Sequence, residues 1–122
     1  MSDAIDPLSI VDAGDDVVTV FVTAPDAAVA HAIAHALVGE RLAACCNIVS
    51  GVTSVYRWEG AIEEASEVLL LIKSTASRFT ALSARIQALH PYDVPEIIAV
   101  PVQAGAEAYL AWIRSSIRAS DL

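Results

Sequence analysis

The chain has 122 residues, enough for one compact domain with a real core and too few for two. Hydrophobic residues make up 56 % and charged residues 18 %, an apolar excess that a small domain hides most economically against another copy of itself. The net charge of −8, with Lys and Arg unclustered, argues against phosphate-neutralising nucleic-acid binding and against an anionic membrane surface, and it permits cationic partners such as metal ions.

Residues 1–16 are acidic, contain Pro7 and Gly14 and keep no sustained period. They read as a disordered tail ahead of one domain over residues 17–122. Asp3, Asp6, Asp12, Asp15 and Asp16 without a basic residue do not make a secretory leader. The longest apolar stretch, 17–37, is broken by Pro25, Asp26, His31 and His35, so no membrane helix is expected. Residues 17–23 are β-branched almost throughout without polar alternation, which predicts a strand covered on both faces. Asp26 then stands where a helix N-cap belongs. Val29, Ile33 and Leu37 recur every four residues, and Gly39 closes the helix. His31 and His35 lie four apart on one helical face, a metal-compatible spacing. No acidic third ligand accompanies them, so they read as a solvent-facing stripe.

Residues 41–49 are small, apolar and strand-like, and Ser50-Gly51 permits a bend or bulge before the aromatic, β-branched run 52–58. The adjacent Cys45 and Cys46 cannot pair without strain, so both are expected as free thiols, which fits a reducing cytosol. Strand alternation points them to opposite faces. Glu59-Gly60 makes a hairpin tip, and the return strand 61–73 is charged and alternating at first, then fully apolar. The hairpin therefore begins outside the core and ends inside it, an arm suited to gripping a partner subunit. Ser74 and Thr75 offer caps for a second helix carrying Phe79, Leu82, Ile86 and Leu89, which Pro91 ends. The stretch 90–102 holds an imidazole, a phenol, two carboxylates and three prolines, each proline fixing its own φ and extending its predecessor. It reads as a stiffened site that Glu96 leads into a buried strand. A last helix after Gly105 places Tyr109, Leu110, Trp112, Ile113 and Ile117 on its apolar side. This order predicts an α+β, ferredoxin-like split βαβ fold: an antiparallel sheet, a long hairpin between its second and third strands, two helices on one face and an extra C-terminal helix.

The fold alone names no function. A phosphate site after the first strand lacks glycine and a base at Thr23-Ala24-Pro25-Asp26, and an RNA platform lacks exposed aromatics and positive charge. Nucleophilic catalysis by Cys45 would need a nearby base and an electropositive setting, and His90 is only a remote possibility for it. Thiolate, imidazole and carboxylate at Cys45, His90 and Glu96 are ligand types for copper or zinc. His90 is open between a functional imidazole and a helix-end residue bonding a last carbonyl. Lys73 and Glu96, opposite charges each beside apolar residues, form the expected ion pair. Trp58, Tyr92, Tyr109 and Trp112 serve either as pocket walls or as core and interface anchors.

Arg41-Leu42-Ala43-Ala44-Cys45 with Asn47-Ile48, Tyr56-Arg57-Trp58-Glu59-Gly60 with Ile62-Glu63, the run 67–73, His90-Pro91-Tyr92, Pro95-Glu96-Ile97-Ile98 and Tyr109-Leu110-x-Trp112 closely resemble the CutA family of divalent-cation tolerance proteins. The likeness covers residues 17 to about 117 with its motifs in order. It implies a ferredoxin-like subunit shaped like PII signalling proteins, a tight homotrimer, and a part in tolerance to copper and other divalent metals. Carried onto this chain, the polar residues of the family's intersubunit cleft are Cys45, Asn47, Trp58, Glu63, Lys73, His90, Tyr92 and Glu96. Cys46 and Asp93 depart from the family's commoner residues. The function so implied is a cytosolic, non-catalytic homotrimer binding a divalent metal, copper foremost, through Cys45, His90 and Glu96, without organic cofactor, nucleic acid or membrane. The competing reading is a PII-like signalling or scaffold trimer whose cleft takes a small metabolite or a partner's peptide.

Overall fold

A computed structural model describes residues 16–118. The acidic tail expected over residues 1–16 lies, apart from Asp16, outside the described residues. The elements follow in the order β1 (Val17–Ala24), α1 (Ala27–Gly39), β2 (Cys45–Trp58), β3 (Ala61–Thr75), α2 (Phe79–Leu89), β4 (Ile98–Pro101) and α3 (Glu107–Ser116), with a 3₁₀ turn (Ala76–Arg78) leading into α2. The strands pair antiparallel in the order β2-β3-β1-β4. This is the ferredoxin-like arrangement with an added C-terminal helix.

The core lies on one face of the sheet. Val18, Val20 and Val22 of β1 and Leu70 and Ile72 of β3 turn toward Ile33 and Leu37 of α1 and Leu82 and Ile86 of α2. Asp26 caps α1, its Oδ1 accepting the Val29 N–H at 2.9 Å. Arg41, at φ 59, turns the chain out of that helix, and the buried Ser74 hydroxyl donates to the Leu42 carbonyl at 2.7 Å to pin the exit. His31 and His35 are exposed on α1 as a stacked pair, as their spacing predicts.

The other face is open along most of its length. Thr19, Phe21 and Thr23 are only half-buried, so β1 is not covered on both sides as its composition predicts. α3 covers one end of that face, packing Ile113 and Ile117 on Val17 and Ala44. Two arginines hold it there: the Arg41 guanidinium donates to the Ser116 carbonyl at 3.0 Å and that of Arg78 to Ile117 at 2.7 Å. They satisfy backbone acceptors that the helix end leaves over. β4 departs from expectation as well. It is an exposed edge strand, with Ile98 53 % and Val100 47 % accessible, because it pairs only with β1 and its other edge meets no strand.

The hairpin arm is set by two backbone devices. Glu59 and Gly60 both take positive φ, which closes β2 and β3 in a two-residue loop whose twist suits the strands. Further in, Val49 pairs with Leu69 but Val52 pairs with Glu67, so one extra residue is accommodated at Ser50-Gly51, with Gly51 at φ 82. That bulge shifts the alternation of β2 by one position. Among the described residues, no helix is long and apolar enough to cross a membrane.

Leu70 is inaccessible to solvent at the centre of the packed face. Leu70→Ala is expected to lower stability by about 2–5 kcal/mol, read from the urea midpoint.

Candidate functional site

The open sheet face carries the polar side chains that the sequence singles out. Cys45 and Lys73 sit opposite one another in the β2–β3 ladder, Asn47 lies two residues further along β2, and beyond the bulge Tyr56 faces Glu63. Side chains directly opposite in an antiparallel pair share a face. The added residue at Ser50-Gly51 therefore brings Tyr56 and Trp58 to the face that Cys45 and Asn47 already occupy.

These residues form two clusters. The first gathers Cys45, Asn47, Lys73 and Tyr109. The Lys73 ammonium donates to the Asn47 side-chain oxygen and stands 4.0 Å from the Cys45 sulfur, which lies 3.6 Å from the Tyr109 hydroxyl. That contact with Cys45, followed by desolvation, raises the Tyr109 phenol. Tyr109 in turn packs at a tilt against Trp112 with ring centroids 5.6 Å apart. Cys46 points the other way and packs against the core, as alternation requires. Burial, then the neighbouring Cys45, pushes its thiol up to about 12.

The second cluster lies where the chain between α2 and β4 crosses the base of the arm. Its organising residue is Glu67, buried to 8 % accessibility, whose Oε2 accepts the Tyr92 hydroxyl at 2.8 Å. Desolvation and that bond hold the Tyr92 phenol up at about 12. His90 sets the approach of this segment. A carbonyl only accepts, so Nε2 carries the proton that reaches Thr23 O at 2.8 Å, leaving the lone pair of Nδ1 to accept the Tyr92 N–H at 3.2 Å. Both ring nitrogens are thereby engaged and the ring is buried. His90 does end α2, its backbone N–H donating to the Ile86 carbonyl, but its imidazole bonds a carbonyl of β1 and not a last carbonyl of the helix as expected. The cluster opens into a cavity of about 810 Å³ walled by Tyr56, Trp58 and Tyr92, with Glu63, Glu67 and Glu96 among its polar lining.

The two clusters do not meet within one chain. Lys73 stands six residues along β3 from Glu67, roughly 20 Å at strand rise. Lys73 and Glu96 consequently do not form the expected ion pair: the ammonium is taken by Asn47, and the carboxylate lines the cavity at the other end. Among the described residues no group of three or more His, Cys, Asp and Glu is placed to hold a metal ion. Cys45, His90 and Glu96 are thus split between the clusters. Sequence reasoning passed over Glu67 as a site residue. Its signal is a carboxylate directly ahead of the apolar run that begins at Val68.

A ferredoxin-like domain with a long projecting hairpin and this set of polar side chains on its open face defines the class. The chain belongs to the CutA1 divalent ion tolerance family, whose sequence model matches residues 18–116. It is 54 % identical over 97 residues to the divalent-cation tolerance protein CutA of Thermus thermophilus, covering 80 % of this chain and 94 % of that one. It is 45 % identical over 101 residues to the chloroplastic CutA of Arabidopsis thaliana, covering 83 % of this chain and 56 % of that longer protein. The crystal structure of CutA1 from Oryza sativa superposes with a TM-score of 0.84 at 41 % identity, over 89 % of this chain and all of that one.

At about pH 8, iodoacetamide is expected to modify Cys45 and spare Cys46, since the thiolate is the reacting form. Peptide mass spectrometry locates the adducts, and both cysteines should react once urea unfolds the chain.

Proposed function

We propose that the protein is a cytosolic homotrimer that binds a divalent metal, copper foremost, in clefts between its subunits and turns over no substrate. The observation that carries this reading is the split of the site. Cys45, Asn47 and Lys73 share one sheet face with Trp58 and Glu63, yet they are too far from His90, Tyr92 and Glu96 to act together in one chain. Joining one subunit's first cluster to a neighbour's second completes the cleft. The open apolar surface supports assembly: Phe21, Leu69 and Leu71 are half-buried, and Ile98, Val100, Val55 and Ile62 stand exposed on the free edges and arm. A ring of three head-to-tail contacts covers such edges in every subunit at once. The two free cysteines fit a reducing compartment.

The metal is cargo in this reading. Soft thiolate sulfur favours copper, and carboxylate oxygen from Glu96 of another subunit supplies a harder donor. His90 would join the set only by giving up one of its two hydrogen bonds, so its assigned part is to orient the segment that carries Tyr92 and Glu96. Cys45 and Glu96 are the ligands that substitution should expose.

A second reading is favoured by the cavity itself: a PII-like trimer that signals or scaffolds by taking a small metabolite. A cavity of about 810 Å³ is within the size range of small-molecule sites.

Sedimentation equilibrium is expected to give three times the chain mass, and a monomer would overturn the assembly. Titration with Cu(I) and Cu(II) should saturate for the native protein. Cys45→Ala should abolish the high-affinity phase and Glu96→Gln should weaken it at least about tenfold, as expected for losing a charged ligand. Binding indifferent to both changes would remove the metal reading.

A further inference from the structure

His31 and His35 belong to neither cluster. They stand one turn apart on the exposed side of α1, and α1 packs on the sheet face opposite Cys45 and Lys73. The backbone beneath them is fixed. Asp26 caps the helix start, and Ile33 and Leu37, which alternate with the pair around the helix, are fully buried in the core. Among the described residues neither ring makes a hydrogen bond or an ion pair, and the ring contact that each makes is with the other. The centroids lie 6.4 Å apart with the planes 23° from parallel. A neutral imidazole keeps one nitrogen as an acceptor, so the pair offers two lone pairs to solvent from a rigid base.

Side chains four apart on a helix have Cβ atoms about 5–6 Å from one another, near enough for both to bind one ion. Metal–nitrogen bonds of about 2.0–2.1 Å draw two such rings to roughly 5 Å between centroids, which exposed side chains reach by rotating about χ. The neighbouring helical positions Ala27, Ala28 and Ala32 are exposed and carry only methyl groups, so nothing bulky crowds the approach. No third His, Cys, Asp or Glu joins the pair among the described residues, which leaves further coordination positions to water. The net charge of −8 favours a cation over an anion at this surface. We propose that His31 and His35 form a two-imidazole chelate on α1 that holds one late first-row divalent ion, Cu(II) most tightly, with water completing its coordination. Imidazole suits copper, nickel and zinc, whereas magnesium demands oxygen donors. The site shares no residue with the cleft of the proposed function and stands whether or not that cleft holds a metal. Its open positions make the bound ion exchangeable with ligands in solution.

Isothermal titration calorimetry on the untagged full-length protein in its native assembly tests this. Ni(II) is the probe because, unlike Cu(II), it does not oxidise thiols, and Mg(II) is the comparison. The series is run in the Cys45→Ala chain, so that the thiolate of the cleft does not contribute. One saturable Ni(II) phase per chain is expected, weakened about a hundredfold by adding His31→Ala or His35→Ala, because each removes the chelate gain. Adding Ala28→His to His31→Ala keeps two exposed imidazoles but sets them seven residues apart, about 10.5 Å along the helix, and binding should stay weak. All these positions are exposed, and circular dichroism with sedimentation establishes that fold and assembly are kept. In the otherwise native chain, His31→Ala should leave the Cys45-dependent copper phase in place, which separates failure of this site from failure of the cleft. Absence of a saturable Ni(II) phase, equal binding of Mg(II), or Ni(II) binding unchanged by either histidine substitution overturns the proposal. Recovery of full affinity in the displaced pair also overturns it, since the number of imidazoles and not their spacing would then decide.

Discussion

One inserted residue governs the functional surface. Without the bulge at Ser50-Gly51, strict alternation along β2 would send Tyr56 and Trp58 to the face opposite Cys45 and Asn47. With it, thiol, amide, indole and phenol share one face, and Glu63 and Glu67 join them from β3. The positive φ of Gly51 is what lets the strand absorb the insertion, since other residues adopt that conformation only at a cost. A backbone irregularity, and no particular side chain, therefore decides which groups can cooperate.

The sheet divides its labour between its faces. One carries α1, α2 and the apolar core; the other carries the polar clusters and a band of half-buried apolar side chains. This division explains the unusually apolar composition. Residues that read as interior are interior only on the helix side, and on the second face they stay half-buried. Family membership places the chain among divalent ion tolerance proteins, and the two clusters lie apart along β3.

Element order, the hairpin, the Asp26 cap and the opposed thiols were legible in the sequence, because each follows from local rules: period, φ restriction and alternation. The ends expected from Gly39, Ser74 and Thr75 were not: Arg41 makes the turn out of α1, Ser74 bonds Leu42 instead, and α2 starts without a side-chain cap. The cover on β1 and β4 was not. A run of valines registers affinity for burial and says nothing of whether a helix or a second subunit supplies it. The Lys73–Glu96 pair does not form within one chain for a related reason. Both charges border apolar runs, but the register that sets them at opposite ends of the site is a long-range property of β3 against β1 and β2. Glu67 was missed because its character comes from Tyr92, brought over it by a segment far away in sequence. His90 stayed ambiguous until both of its nitrogens had named partners.

The two arginine contacts at the end of α3 have a reach beyond that helix. Arg41 follows α1 and Arg78 precedes α2, so the last turn of α3 is moored to the connections of both core helices. α3 also carries Tyr109, the phenol nearest the Cys45 sulfur. One short helix thus touches both the connections of the core helices and the thiol on the far side of the sheet.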